Sequence, residues 1–304
     1  MHLRSYRAAW LVPCLVIFIS CEADNGLRLP ARESEPFDSS GRSLVARIIH
    51  VTDMQIVDEE SPARFAGAQV ITRSAWRPYE AYATQLFDGI LRGANSIHAS
   101  GRTVSFLVQT GDACDNSQRN ELEWVLGVFD GKTINPMTGP DDRPAEARPE
   151  PLLDPHASFL AQGLYREGVH GASASIPWYG VFGNHDVYSI GVFPFFEDAF
   201  GKRTAPLPLE GRPDIVLPGD LDPTGFLAHG NVTPAVPGPP NLFEFPRLVA
   251  PNPDRAFFNK REYIRAMFET ETGPPGHGFS DPESGPTWYS CAPAPGLRLI
   301  GLDT

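Results

Sequence analysis

A chain of 304 residues has room for one large domain or two modest ones, and with 41% apolar and 20% charged residues it is neither a disordered nor a fibrous polypeptide. Its 28 Gly and 31 Pro, about a fifth of the chain, imply a loop-rich body but stay below the ~25% at which disorder becomes the better reading. The formal net charge of −12 argues against a nucleic-acid partner, because a phosphate-backbone binder needs a basic face to release counterions.

Arg4 and Arg7 precede the apolar run Ala8 to Ile19, followed by Ser20 and Cys21, so residues 1–20 read as a secretory signal. The run is shorter than the ~20 apolar residues of a lasting membrane span. Phe18-Ile19-Ser20-Cys21 resembles a lipobox in which Cys21 would be acylated and become the first residue; ordinary cleavage near Ala23 is the other reading. The expected location is therefore exported, periplasmic or cell-surface, with a lipid on Cys21 as the membrane attachment. Residues 21–44 lack periodicity and read as a flexible tether. Cys14 would leave with the signal, so only Cys114 and Cys291 remain to pair, which an oxidising compartment permits but the sequence does not indicate. No CxxC exists, which argues against a thiolate zinc site.

An α/β domain is expected over 45–304. Ala46 to Val51 is a short apolar run ending in Thr52-Asp53, as in a buried strand. Tyr79 to Asn95 predicts a helix, with Ala83, Leu86, Phe87, Ile90 and Leu91 at three- and four-residue spacing and Pro78 in the first turn. Val104 to Val108 predicts a second strand. Leu122, Val125, Leu126 and Phe129 predict a second helix with Ser117 as its cap. After a Pro-rich excursion from Asn135 to Pro155, Ile176 to Phe182 predicts a third strand. This alternation points to crossover units and a largely parallel sheet. Residues 201–253, dense in Pro and Gly, read as an insertion that could serve as a lid. Asn259 to Glu269 predicts a helix, and Thr287 to Ser290 and Leu297 to Leu302 two further strands.

A polar cluster follows each of the first three strands: Asp53-Met54-Gln55, Gly111-Asp112-Ala113-Cys114-Asp115-Asn116 and Gly183-Asn184-His185-Asp186. In an open α/β sheet the carboxyl ends of the strands share one edge and ligands bind in the crevice there. Carboxylate, amide oxygen and imidazole are the donors that hold Mn²⁺, Fe²⁺ or Zn²⁺. Each cluster alone reads as a turn. All three, in this order and each ending an apolar run, point to a metal site, with one carboxylate such as Asp112 set between two cations.

The three clusters resemble those of the calcineurin-like metallophosphoesterase superfamily. The resemblance runs from about Arg47 to the end of the chain and implies a four-layer α/β/β/α sandwich carrying two divalent metal ions at the strand ends. By position, Asp53 and Gln55 would bind the first metal, Asp112 would bridge both, and Asn184 would bind the second. His185 would assist the departing alkoxide, with Asp186 orienting its imidazole. Gln55 stands where the commoner first motif has His. Its amide oxygen favours Mn²⁺ or Fe²⁺, with Zn²⁺ still possible. Asp58 to Arg64, Asn116 to Leu122 and Gly276 to Phe279 also look like a bacterial exported subgroup. The implied activity is hydrolysis of a small-molecule phosphoester; the reading from another class is a catalytically inactive lipoprotein that keeps the fold as a binding or scaffold module. The family places further His ligands beyond the strand resembling Leu299 to Thr304, and this sequence does not contain them. The expectation is a fragment of a longer protein, the alternative a degenerate relative, and either way little activity from this piece alone. A serine hydrolase is disfavoured because no Gly-x-Ser-x-Gly is present.

Other residues carry quieter expectations. His50 reads as a core histidine, and His98, His156, His170 and His229 as solvated loop residues. His277 reads as cleft-lining or as part of a plain turn, Cys114 as a small buried filler, and Trp178 and Tyr179 as core. Asn116 and Glu121 read either as orienting the ligands or as a helix cap and a solvated face.

Overall fold

A computed structural model describes residues 43–58, 61, 77, 79–138, 156–165, 175–189, 191, 192, 194, 196, 197, 203–209, 212–216 and 252–303. The signal, Cys21, the tether, His170 and His229 lie outside these residues. Three strands, β1 (Ile48–Val51), β2 (Phe106–Thr110) and β5 (Trp178–Val181), form a parallel sheet in the order β1-β2-β5. The register pairs Val51 with Gln109 and Thr110 with Val181, so all three strands end on one edge. The fold is mixed α/β around this sheet, with α1 (Ala83–Ala99), α2 (Arg119–Asp130) and α3 (Lys260–Met267). Two short strands, β3 (Thr133–Ile134) and β4 (Phe159–Leu160), pair antiparallel. In the expected insertion, β7 (Arg203–Leu209) and β8 (Arg212–Val216) pair antiparallel, and β6 (Phe196–Glu197), just before it, adds to β7. Further on, β9 (Tyr289–Ala294) pairs with β10 (Leu297–Gly301) as a hairpin. Among the described residues no helix is long and apolar enough to cross a membrane.

Helix α1 does not bury the stripe its apolar pattern advertises. Phe87, Leu91 and Ala94 are in the core, but Leu86 and Ile90 are exposed, and Asp88 and Asn95 are buried instead. Hydrogen bonding explains the rotation. Asp88 accepts the Gln162 amide at 2.7 Å, while Asn95 donates to the Gly163 carbonyl at 2.8 Å and accepts the Tyr165 amide at 3.0 Å. Two polar side chains thus staple residues 162–165 to the helix and satisfy three of the segment's backbone groups without a sheet. His156, expected to be solvated, is buried. His50 departs in the opposite sense: β1 is an edge strand, and His50 is exposed, with Nε2 2.8 Å from the Thr110 hydroxyl.

The core runs as a column of rings. Phe87 meets Phe129 edge-on at 5.0 Å, Phe129 stacks on Trp178 at 4.0 Å, and Trp178 stacks on His277 at 3.5 Å. His277 is fully buried, so it lines no cleft. Its Nδ1–H donates to the Trp178 carbonyl at 3.0 Å, and its Nε2 accepts from the Thr270 hydroxyl at 2.7 Å. Burial lowers its pKa to about 4, against a smaller upward pull from the Trp178 carbonyl and Asp130. The unfolded chain therefore takes up a proton near pH 6.5 that folded His277 refuses until about pH 4. Stability is unpenalised above that window and falls as pH drops through it, by up to about 3 kcal/mol. Urea denaturation of wild type and His277→Gln between pH 7 and 4 checks this: the variant is expected to lose less stability on acidification than wild type.

Candidate metal centre

The loops after β1 and β2 travel together beyond the sheet. Asp53 N–H donates to the Gly111 carbonyl at 3.2 Å, Gln55 N–H to Asp112 at 2.9 Å and Ile56 N–H to Ala113 at 2.9 Å, with Asp115 N–H returning to Ile56 at 3.0 Å. The third loop is bound in by side chains. Asp112 Oδ1 accepts His185 N–H at 3.0 Å, and Ser117 Oγ donates to the His185 carbonyl at 2.8 Å. All six residues read as metal ligands or catalytic groups, Asp53, Gln55, Asp112, Asn184, His185 and Asp186, thereby stand on one edge.

Backbone strain concentrates in the same place. Asp53 (φ 52°), Gln55 (φ 44°) and Asp112 (φ 52°) are left-handed without being glycine. Each such residue costs on the order of 1 kcal/mol, and strain of this kind persists where the surroundings over-determine it, typically at functional sites. The inter-loop hydrogen bonds supply that constraint here.

Two glycines allow the close approaches. A Cβ on Gly183 would lie 2.1 Å from Asp112 Oδ1, and one on Gly191 would lie 2.5 Å from His185 Nε2. Gly183→Ala is therefore expected to cost about 1–3 kcal/mol as an overpacked site. Gly89→Ala, in α1 with open space around its added methyl, is expected to gain up to about 1 kcal/mol. Urea midpoints of the two variants make the comparison.

The electrostatics are those of crowded acids. Burial raises the Asp112 carboxyl above its ordinary range; the His185 ring and amide pull it back, and Asp53 and Asp115 push it further up. Asp186 is fully buried, and its carboxyl is raised to about 6, first by burial. Its partners differ from expectation. Rather than the His185 imidazole, its oxygens accept the backbone amides of Cys114 and Gly183 at 2.8 Å each and of Ala113 at 3.3 Å. The imidazole instead belongs to Asp115: Nδ1–H donates to the Asp115 carbonyl at 2.9 Å, and Asp115 Oδ1 lies 3.5 Å away. That bond places the proton of the neutral ring on Nδ1 and leaves Nε2 with its lone pair. Asn184 is exposed, and its Nδ2 donates to the Gly191 carbonyl at 2.9 Å, which commits the nitrogen and leaves Oδ1 as the donor atom for a cation.

Arg77 is the residue for which the sequence carries no signal. It donates from Nη1 to Gln55 Oε1 and from Nη2 to Asp115 Oδ1 at 2.6 Å. Behind the edge, Asn116 and Glu121 are both buried. Glu121 accepts the Asp58 amide at 3.0 Å and the Asn116 amide at 2.8 Å and completes the capping box of α2 with Gln118. Its acid is raised to about 8, chiefly by burial. Asp58 accepts from Arg255 Nε at 2.8 Å, a fully buried ion pair that ties the 252–303 segment to the first loop. Cys114 is a buried free thiol, burial holding it protonated, and Cys291 is also free.

Among the described residues no three His, Cys, Asp or Glu side chains form a group that could hold a metal. The donor set in question is two carboxylates and two amides, all hard oxygen donors, and it fits a hard divalent cation better than zinc. The raised Asp112 carboxyl, crowded by Asp53 and Asp115, is the charge state a cation relieves. No family model, curated protein or solved structure matches the chain.

Proposed function

We propose that the protein is a metallophosphoesterase with a four-layer α/β/β/α sandwich of the calcineurin-like type, acting outside the cytoplasm on a small phosphoester. The observation that carries the reading is the convergence of three separate motif loops on one sheet edge, with Asp53, Gln55 and Asp112 all in left-handed backbone there. Asp53, Gln55 and Asp112 would hold the first cation, and Asp112 and Asn184 the second. Bound divalent cations would supply Lewis acidity toward water and the phosphoryl oxygens, with Mn²⁺ or Fe²⁺ favoured by the amide oxygens. Asp115 holds His185 through Nδ1, so that Nε2 can deliver a proton to the leaving oxygen, a contribution of order 10²- to 10⁴-fold. Asp186 keeps the second and third loops in register.

Metal analysis after loading with Mn²⁺, together with hydrolysis of chromogenic phosphomono- and diesters, tests the proposal. Bound Mn²⁺ with weak metal-dependent turnover is expected. Metal binding without turnover would favour the inactive binding module, and neither would end the metal reading.

A further inference from the structure

The Gln55 amide can face a cation with its oxygen or, turned over, with its NH₂ group, and only the first orientation ligates. Arg77 selects between them. A guanidinium carries donors and no acceptor, so the end of the amide that faces it must be the oxygen. That is the contact observed, Arg77 Nη1 to Gln55 Oε1. A carbonyl oxygen has a second lone pair, so the bond fixes the amide without exhausting it. The other arm of the fork, Nη2, reaches Asp115 Oδ1 at 2.6 Å, and Asp115 holds the His185 ring. Arg77 is itself anchored: its side chain is 15% exposed, and its backbone N–H donates to the carboxylate of buried Glu80 at 3.0 Å. Asp115 balances the guanidinium charge, which limits the repulsion a neighbouring cation would feel.

We infer that Arg77 is a positioning residue of the proposed centre, joining the Gln55 ligand of the first metal to the Asp115 carboxylate beside His185. The inference rests on the phosphoesterase reading. It distinguishes Arg from Lys, because a single ammonium cannot reproduce two divergent N–H directions fixed in one plane.

The test is Mn²⁺ titration of the whole chain by calorimetry, for wild type, Arg77→Gln and Arg77→Lys, with thermal melts as a folding check. Loss of an outer-shell partner of a metal ligand costs about 10- to 100-fold in affinity, and that loss is expected for Arg77→Gln, with Arg77→Lys recovering only part of it. Where turnover is measurable, kcat is expected to fall with KM little changed, since Arg77 touches ligands and not substrate. Wild-type Mn²⁺ affinity in Arg77→Gln, or a rise in KM alone, overturns the positioning role and leaves the metal site standing. If Arg77→Gln does not fold, Arg77→Lys decides, and wild-type affinity there overturns the role equally. A wild-type chain that binds no Mn²⁺ removes the functional reading and the Arg77 inference together.

Discussion

Asp112→Asn is expected to leave the metal-free chain at least as stable as wild type while removing its response to Mn²⁺. The asparagine keeps an Oδ1 to accept the His185 amide, so the bond across the two loops survives. What disappears is a charge the fold disfavours, since burial, Asp53 and Asp115 all raise the carboxyl. A carboxyl whose folded pKa lies above its unfolded one weakens the fold as pH rises through that interval, and the cost is complete above it. Near neutral pH the variant escapes that cost. With cation present the order reverses: wild type at 100 times its Kd gains about 2.7 kcal/mol, and the variant gains none. Turnover is expected to drop by more than about 100-fold, because loss of an outer-shell group alone already reaches that range. Thermal melts with and without Mn²⁺ read both halves, and a variant still stabilised by Mn²⁺ would exclude Asp112 as a ligand.

The parallel sheet was legible because buried strands read as apolar runs stopped by Gly and Asp, and those stops are where the motif loops begin. The boundaries moved where polar residues continue a ladder. The second strand, expected over Val104 to Val108, runs to Thr110, since Gln109 pairs with Val51 and Gly180 regardless of its side chain. Ser117, expected to cap α2, is left-handed, and its hydroxyl is engaged by the His185 and Tyr188 carbonyls; Gln118 caps instead. Asn259 was expected to open α3 and does cap it, because its capping box with Glu262 is local in sequence. Of the first string, Asp58 and Ser61 are described, and both meet the string Asn116 to Leu122, with Ser61 Oγ donating to Gln118 Oε1 and Asn120 to Asp58 at 2.8 Å. They meet as a buried polar support behind the edge. What could not be read was partnership across distance: Arg77 with Asp115 is 38 residues apart and Arg255 with Asp58 is 197 apart, and neither Arg carries a periodicity or spacing.

Asp186→Ala is expected to be the most destabilising substitution at the edge, and it separates two roles for this carboxylate. Removing the side chain orphans the buried amides of Ala113 and Cys114 and the half-buried amide of Gly183, and a buried donor left unmade costs about 1–3 kcal/mol. Even at the low end the two buried amides cost about 2 kcal/mol together, visible as a lower urea midpoint with an unchanged m-value. Asp186→Asn is the milder variant. Its single acceptor oxygen retains part of the set, while its NH₂ faces donors it cannot satisfy. The variant also loses a pH slope of known sign: the folded carboxyl at about 6 lies above the ordinary 3.8, so wild-type stability falls as pH rises between those values, and the asparagine chain does not show that fall. A residue that served only to orient the His185 ring would behave otherwise, with kcat reduced and the urea midpoint held. Asp115 is the residue for which that second pattern is expected to come closer, because its carbonyl stays in place while its carboxylate, beside the ring and under Arg77, is removed by substitution to Asn.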